Sequence, residues 1–240
     1  VNRSEPGAAL IGNDVVDLAD REALPSPRTS RFDMRVFSEV ERHRIEHSGD
    51  PILERWSLWA AKEAGYKLLR KLESDAIFSP SRIEVDFAAA PGFSPNSGDP
   101  IRVPARSGIV TARGHRFDCR IIAGEAFVHA LCTPFARRAP ERFGHALLGT
   151  EAPDRGTPQG LSRGVRELAC TEIARSLGLN PESLRIEKSD GIPHFWLGGD
   201  RLAIDLSLSH HGRVVAYACR FFPESMPREA ACKSVTGSGH

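Results

Sequence analysis

The sequence contains no apolar run long enough to span a membrane and no apolar leader at its start. A membrane protein is not expected, and a cytoplasmic one is. Charge of one sign does not dominate: 32 Lys and Arg stand against 31 Asp and Glu, so no global field draws nucleic acid or an anionic membrane surface. Nor do aromatic and basic residues interleave into a nucleic-acid platform. Any bound anion must be held by a local cluster of cations. Cysteine is scarce and odd in number, with five residues at 119, 132, 170, 219 and 232 in no short metal-type spacing. Buried free thiols in a reducing compartment fit that pattern better than a disulfide framework.

What is present is a chain of 240 residues, long enough to bury one large core or two small ones. The stretch IGNDVVDL (11–18) reads as a short buried strand with polar residues at its end. RVFSEVERHRIEH is helical, Pro51 permits a break, and a long amphipathic helix follows from Ile52 to about Leu72. After SPSRIEVDF the text becomes β-rich, and residues 134–160 then carry the glycine and proline content of a linker, although FGHALLG within it has the character of a short element. Beyond it the grammar repeats: the helix RGVRELACTEIARSLGL precedes LRIEK as the first long helix precedes SRIEV, and VVAYAC closes the second half as FVHALC closes the first. The expected fold is α+β, two pseudo-symmetric units in tandem: a first unit over 1–139, a linker over 140–160, and a second unit over 161–240. A single α+β domain without internal symmetry is the competing architecture.

On the long helix, Trp59, Glu63 and Lys67 are four apart and share a line. An exposed Glu-to-Lys pair is worth only a few tenths of a kcal/mol, but a tryptophan on the same line argues for partial burial. A carboxylate there needs a partner or a cation. Asp14, at the mouth of the buried strand, is a second carboxylate on a different element. Such a pair suits Mg²⁺, which takes one or two protein carboxylates and completes its shell with water and phosphate oxygens; Lys62, Lys67, Arg70 and Lys71 would then face the phosphates. In DLSLSHHGRVVAYA (205–218), Ser207 and Ser209 alternate with leucines and lead to His210 and His211. That pattern fits either a surface turn or the lining of a polar pocket.

Taken together, Gly12-Asn13-Asp14, Phe37-Ser38 with Glu41, Trp59-x-x-Lys62-Glu63-Ala64-x-x-Lys67, Gly191-Ile192-Pro193 and Ser209-His210 resemble the signature of the 4'-phosphopantetheinyl transferases. The resemblance implies an enzyme that transfers the phosphopantetheine group from coenzyme A to a serine of an acyl or peptidyl carrier protein, with Mg²⁺. It implies Asp14 and Glu63 as metal ligands, Lys67 as a phosphate contact, Lys62 as a second cation near coenzyme A, and Ser209-His210 as contacts to its nucleotide part. Glu41 would position the metal's water or assist proton transfer. Arg163 or Arg166 would match an arginine found early in the Ser-His half. Arg31 and Arg35 offer contacts to the acidic helix of a carrier. The tandem members of the family are monomers, and a monomer is expected here. Their Ser-His half precedes the Gly-x-Asp half, whereas here it follows, as in a circular permutation; a single trimer-type unit with a large insertion is the other account.

Two departures stand out. The lysine of the family's Gly-Lys-Pro turn is Ile192 here, so either Lys188 or His194 supplies the missing charge or coenzyme A binds more weakly. The tandem enzymes often carry a second acid two residues after the strand aspartate, where this chain has Val16; Asp17 follows, and alternation turns it away from Asp14. Two other readings compete: a non-catalytic relative that binds a carrier or a nucleotide, and a zinc peptidase built on His43-x-x-Glu46-His47, for which no downstream third ligand is evident.

Overall fold

The computed structural model describes residues 9–26, 29–88, 105–135, 141–147 and 157–222. Two units repeat one topology. The first runs β1 (Gly12–Asp17), α1 (Thr29–Val36), α2 (Glu39–Glu46), α3 (Pro51–Leu72), β2 (Ile83–Phe87), β3 (Ala105–Ala112), β4 (His115–Ala123) and β5 (Phe127–Pro134). The second runs β6 (Glu141–Leu147), α4 (Pro158–Leu177), β7 (Leu184–Ser189), β8 (Ile192–Leu197), β9 (Asp200–His211) and β10 (Val214–Phe221). The sheet orders are β1-β5-β4-β3-β2 and β6-β10-β9-β8-β7, with all pairings antiparallel. The duplicated α+β architecture expected from the repeated strings is therefore the observed one: SRIEV leads into β2 and LRIEK into β7, while FVHALC and VVAYAC lie in β5 and β10, each paired with the first strand of its unit.

The proposed linker, residues 140–160, differs from the structure. FGHALLG lies largely within β6, which pairs with β10 from Leu147↔Val214 to Glu141↔Arg220 and so belongs to the second sheet. Helix α4 also starts inside the interval, with Thr157 as its N-cap and Pro158 in the first turn. The glycines and prolines that suggested a linker surround a strand whose partner lies some seventy residues further on.

The expected helix over RVFSEVERHRIEH is two helices. Ser38 ends the first and starts the second through a capping box, its hydroxyl accepting from Glu41 N–H while the Glu41 carboxylate accepts from Ser38 N–H. Helix α3 packs Ala60, Ala64 and Leu68 on the first sheet, and α4 packs Val165, Ala169 and Ile173 on the second. Small residues let α3 lie against β1 itself. A Cβ on Gly12 would sit 2.0 Å from the Ala64 carbonyl oxygen, so only glycine permits this approach. That contact sets the distance between Asp14 and the α3 carboxylate.

Candidate active site

Strand β1 is an edge of its sheet, and its outward N–H groups have no strand beside them. They are satisfied from β9 by alternate side chains. Ile11 N–H donates to Asp205 Oδ2 (2.8 Å), Asn13 N–H to Ser207 Oγ (2.9 Å), Val15 N–H to Ser209 Oγ (3.2 Å), and Asp17 N–H to His211 Nδ1 (3.2 Å). This ladder joins the two units. Because β-strand side chains alternate, the residues that serve it are 205, 207, 209 and 211, and the polar alternation of DLSLSHH follows from that task. Lys71 reinforces the same seam by donating to Ile11 O (2.6 Å), Asp205 Oδ2 (2.7 Å) and Leu206 O (2.8 Å).

Asp14 lies at the middle of the seam. Its Oδ1 accepts from Lys67 Nζ (2.8 Å) and from Ser209 Oγ (2.7 Å). Lys67 also donates to Asn13 O at 2.9 Å. Glu63, one turn before Lys67, has no hydrogen-bond or ion-pair partner among the described residues. Burial, reinforced by the nearby Asp14 charge and only partly opposed by Lys67, pushes its pKa up to about 7. A half-buried carboxyl without a donor, beside a second carboxylate, is the expected state of a divalent-ion site read from its ligands alone. The donor set is hard oxygen, which fits Mg²⁺.

A cleft of about 280 Å³, reached from this pair through Lys67, opens between α3 on one side and α4, β8 and β9 on the other. Lys67, Arg70, Arg166, Lys188 and His210 line it, as does Ile192. Burial and the Lys67 charge lower the pKa of His210, with the Asp14 charge opposing. The imidazole is therefore biased toward its neutral form, which both donates and accepts.

Several candidates from the sequence lie elsewhere. Lys62 does not approach the cleft. Its ammonium is buried, 2.9 Å from Glu41 Oε2 and 2.9 Å from Pro80 O, and it also donates to Ile83 O. Glu41 is equally committed: it caps α2, pairs with Lys62, and accepts from Val85 N–H at 3.1 Å. Both residues pin α2 and the start of β2 to the far side of α3, so neither the coenzyme contact given to Lys62 nor the water or proton role given to Glu41 fits the structure. Lys71 does line the cleft, but its ammonium is committed to Ile11 O, Asp205 and Leu206 O in the seam. Of the two arginines left open, Arg166 lines the cleft, while Arg163 is exposed and faces Glu167 at 3.9 Å. Of the two candidates to replace the turn lysine, Lys188 lines the cleft, whereas His194, within β8, is buried and does not line it.

Asp17 is turned away from Asp14, as alternation requires. Burial alone would raise its pKa, but the hydrogen bonds and charge of Arg213 outweigh this and hold it at about 2. Sequence reasoning missed Asp205 and the pairing of Asn13 with buried His129 (Asn13 Nδ2 to His129 Nε2, 3.1 Å). The first had a signal, since Asp205 is the initial member of the period-2 polar series; the second had none.

His43 and Glu46 on α2 and His47 at its C-cap are all exposed, with their ligand atoms within 4.8 Å of one another and no downstream residue among the described ones joining them. A peptidase centre is not assembled there. No helix among the described residues is long and apolar enough to cross a membrane.

Comparison with known proteins agrees with the motifs. Residues 10–132 match the family described as the 4'-phosphopantetheinyl transferase superfamily. No curated protein matches the chain. Among solved structures, the Thermotoga maritima holo-acyl-carrier-protein synthase is similar, with 17% identity, 60% of this chain and 70% of that chain covered, and a TM-score of 0.36. With the matched segment spanning β1, α3 and β5, this chain belongs to the 4'-phosphopantetheinyl transferase superfamily.

Proposed function

We propose that this protein transfers the 4'-phosphopantetheine group of coenzyme A to a serine hydroxyl of an apo acyl or peptidyl carrier protein. The observation that carries this reading is the unpartnered Glu63 carboxyl near Asp14, whose ion-pair partner Lys67 lines a cation-rich cleft. The serine oxygen forms a bond to the β-phosphorus of coenzyme A. The bond from that phosphorus to the bridging oxygen breaks, and 3',5'-ADP leaves with the electron pair. Asp14 and Glu63 would hold Mg²⁺, which when bound neutralises charge on the pyrophosphate oxygens. Lys67, already at Asp14, supplies a fixed cation to the same oxygens. Arg166, Lys188 and Arg70 take the nucleotide phosphates, and His210 contacts the nucleotide through its hydrogen-bonding edge. The serine proton passes to a carboxylate oxygen of Glu63 or to solvent; no covalent enzyme intermediate is required.

The carrier approaches α1 in this reading. Arg31 and Arg35 border a groove floored by Phe32, Val36, Trp59 and Phe78, and Trp59 is one turn from Glu63. The two units complete one site within one chain, consistent with a cytoplasmic monomer whose halves stand in the order opposite to that of the familiar tandem enzymes.

The test is mass spectrometry of a broad panel of apo-carriers incubated with the protein, coenzyme A and Mg²⁺. A phosphopantetheine mass gain on at least one carrier is expected, and it is lost in Glu63→Gln. One observation favours a second reading, a carrier or nucleotide binder without transferase activity: Ile192 lines the cleft where the family places a cation. No gain on any carrier, with coenzyme A still bound, supports that reading instead.

A further inference from the structure

We infer that α2 carries a second cation site, of different chemistry from the Asp14 and Glu63 pair: a surface site for a borderline transition ion such as Zn²⁺, formed by His43, Glu46 and His47. This site is independent of the transferase reading and does not depend on coenzyme A or a carrier.

The argument starts from helix periodicity. Positions 39, 43, 46 and 47 are offset by four, seven and eight residues, so Glu39, His43, Glu46 and His47 fall on one face. The imidazole rings of His43 and His47 lie 3.9 Å apart, centroid to centroid, at 36°. One ligand atom from each of His43, Glu46 and His47 can be chosen so that all three lie within 4.8 Å. Exposed side chains need only small rotamer adjustments to close from that separation to a common ion.

The tautomer is already set at one ligand. His47 Nδ1 lies 2.8 Å from the His43 carbonyl oxygen. A carbonyl only accepts, so Nδ1 carries the proton and Nε2 of the neutral ring presents a lone pair. This is the usual arrangement of a metal-bound histidine, whose other nitrogen donates to a carbonyl or carboxylate and fixes the ring.

The surroundings favour a cation. Glu39 and Glu46 contribute negative charge to the shallow concavity they share with Arg42 and His43. Arg42 is directed elsewhere, its Nη1 donating to Phe37 O at 2.7 Å. Two imidazoles and one carboxylate select Zn²⁺, Ni²⁺ or Cu²⁺ over Mg²⁺, so the two cation sites of this protein do not compete for the same ion. Glu46 stands with the ligands and leaves no general base, so the site binds without hydrolysing. Bridging residues one turn apart clamps the end of α2, and an ion bound only by the folded helix stabilises it.

The test is a Zn²⁺ titration by calorimetry of the full-length, chelator-treated protein, with Mg²⁺ at millimolar concentration throughout. One Zn²⁺ per chain is expected, with the affinity falling at least tenfold in His43→Ala and in His47→Gln and by less in Glu46→Gln. Glu22→Gln, which removes the exposed carboxylate of the other grouping of Asp20, Glu22 and His211, leaves the affinity unchanged. In the wild-type protein, Zn²⁺ shifts the imidazole NMR resonances of His43 and His47, a readout that needs no variant. Zn²⁺ also raises the melting temperature of the wild type but not of His47→Gln. Binding that survives His43→Ala, binding lost in Glu22→Gln, or no binding below millimolar Zn²⁺ each overturns the inference.

Discussion

The Ser209 hydroxyl oxygen accepts from Val15 N–H at 3.2 Å and donates to Asp14 Oδ1 at 2.7 Å. One side chain of the second unit thus satisfies the backbone of β1 and orients the carboxylate that β1 presents. The seam between the units and the candidate metal site are one hydrogen-bonded structure, and disturbing either disturbs both.

Ser209→Ala removes the donor to Asp14 and leaves Val15 N–H unsatisfied at a buried position. A loss of about 1–3 kcal/mol in unfolding free energy is expected, measured by urea denaturation. Divalent-ion affinity should fall in the same variant, because Asp14 loses one of the two groups that orient it. A variant of unchanged stability and unchanged Mg²⁺ affinity would separate the seam from the site.

Gly12→Ala places a methyl group 2.0 Å from the Ala64 carbonyl oxygen, on a backbone that cannot retreat by rotamer change. The expected cost is about 1–3 kcal/mol or more from forced separation of α3 and β1, read as a lower urea midpoint. Transfer activity should fall further than the folded fraction, since Asp14 and Glu63 are carried apart.

Glu63 makes the metal-free protein sensitive to pH. Its folded pKa of about 7 lies above its ordinary 4.5, so the folded state holds the proton more tightly than the unfolded state. The associated stability is fully present below pH 4.5 and is lost as pH rises through 7. Glu63→Gln, which cannot ionise, should therefore be more stable than the wild type at pH 8 in chelator, by about 1–2 kcal/mol once its partial exposure is discounted. At pH 4.5 the two should melt alike. Equal melting at both pH values would show that the carboxyl is not desolvated.

Lys62→Met strands the buried Glu41 carboxylate and should cost about 3–5 kcal/mol. Adding Glu41→Gln, which removes the charge but keeps an acceptor for the Ser38 and Val85 N–H groups, should recover part of that loss. Activity per folded molecule should be retained in the double variant, because neither group reaches the cleft. A KM for coenzyme A that rises in Lys62→Met at constant folded fraction would return this lysine to the substrate.

Lys188→Ala tests the replacement for the missing turn lysine. Losing a phosphate contact that forms equally in the bound and reacting states should raise the KM for coenzyme A several-fold with kcat little changed. An unchanged KM would leave Arg70 and Arg166 as the anion-binding groups.

Local patterns carried much of this protein. The spacing of Trp59, Glu63 and Lys67 placed them on one face of α3, and the Gly-x-Asp string put Asp14 on a buried strand. The paired strings SRIEV and LRIEK announced a duplicated unit. Each of these is a matter of side-chain period or of a short motif, which the chain specifies within a few residues.

Tertiary structure alone decided which cations are available. Lys62, Lys67, Arg70 and Lys71 are similar letters on one helix, but α3 is enclosed on more than one side, so its periodicity could not separate the ammonium that meets Glu41 from the one that meets Asp14. The same holds for β6, recognisable as a strand only once β10 lies beside it, and for the β1–β9 ladder, whose partners are 194 residues apart. Backbone donors must be satisfied when buried, but which distant side chains satisfy them depends on how the two units meet.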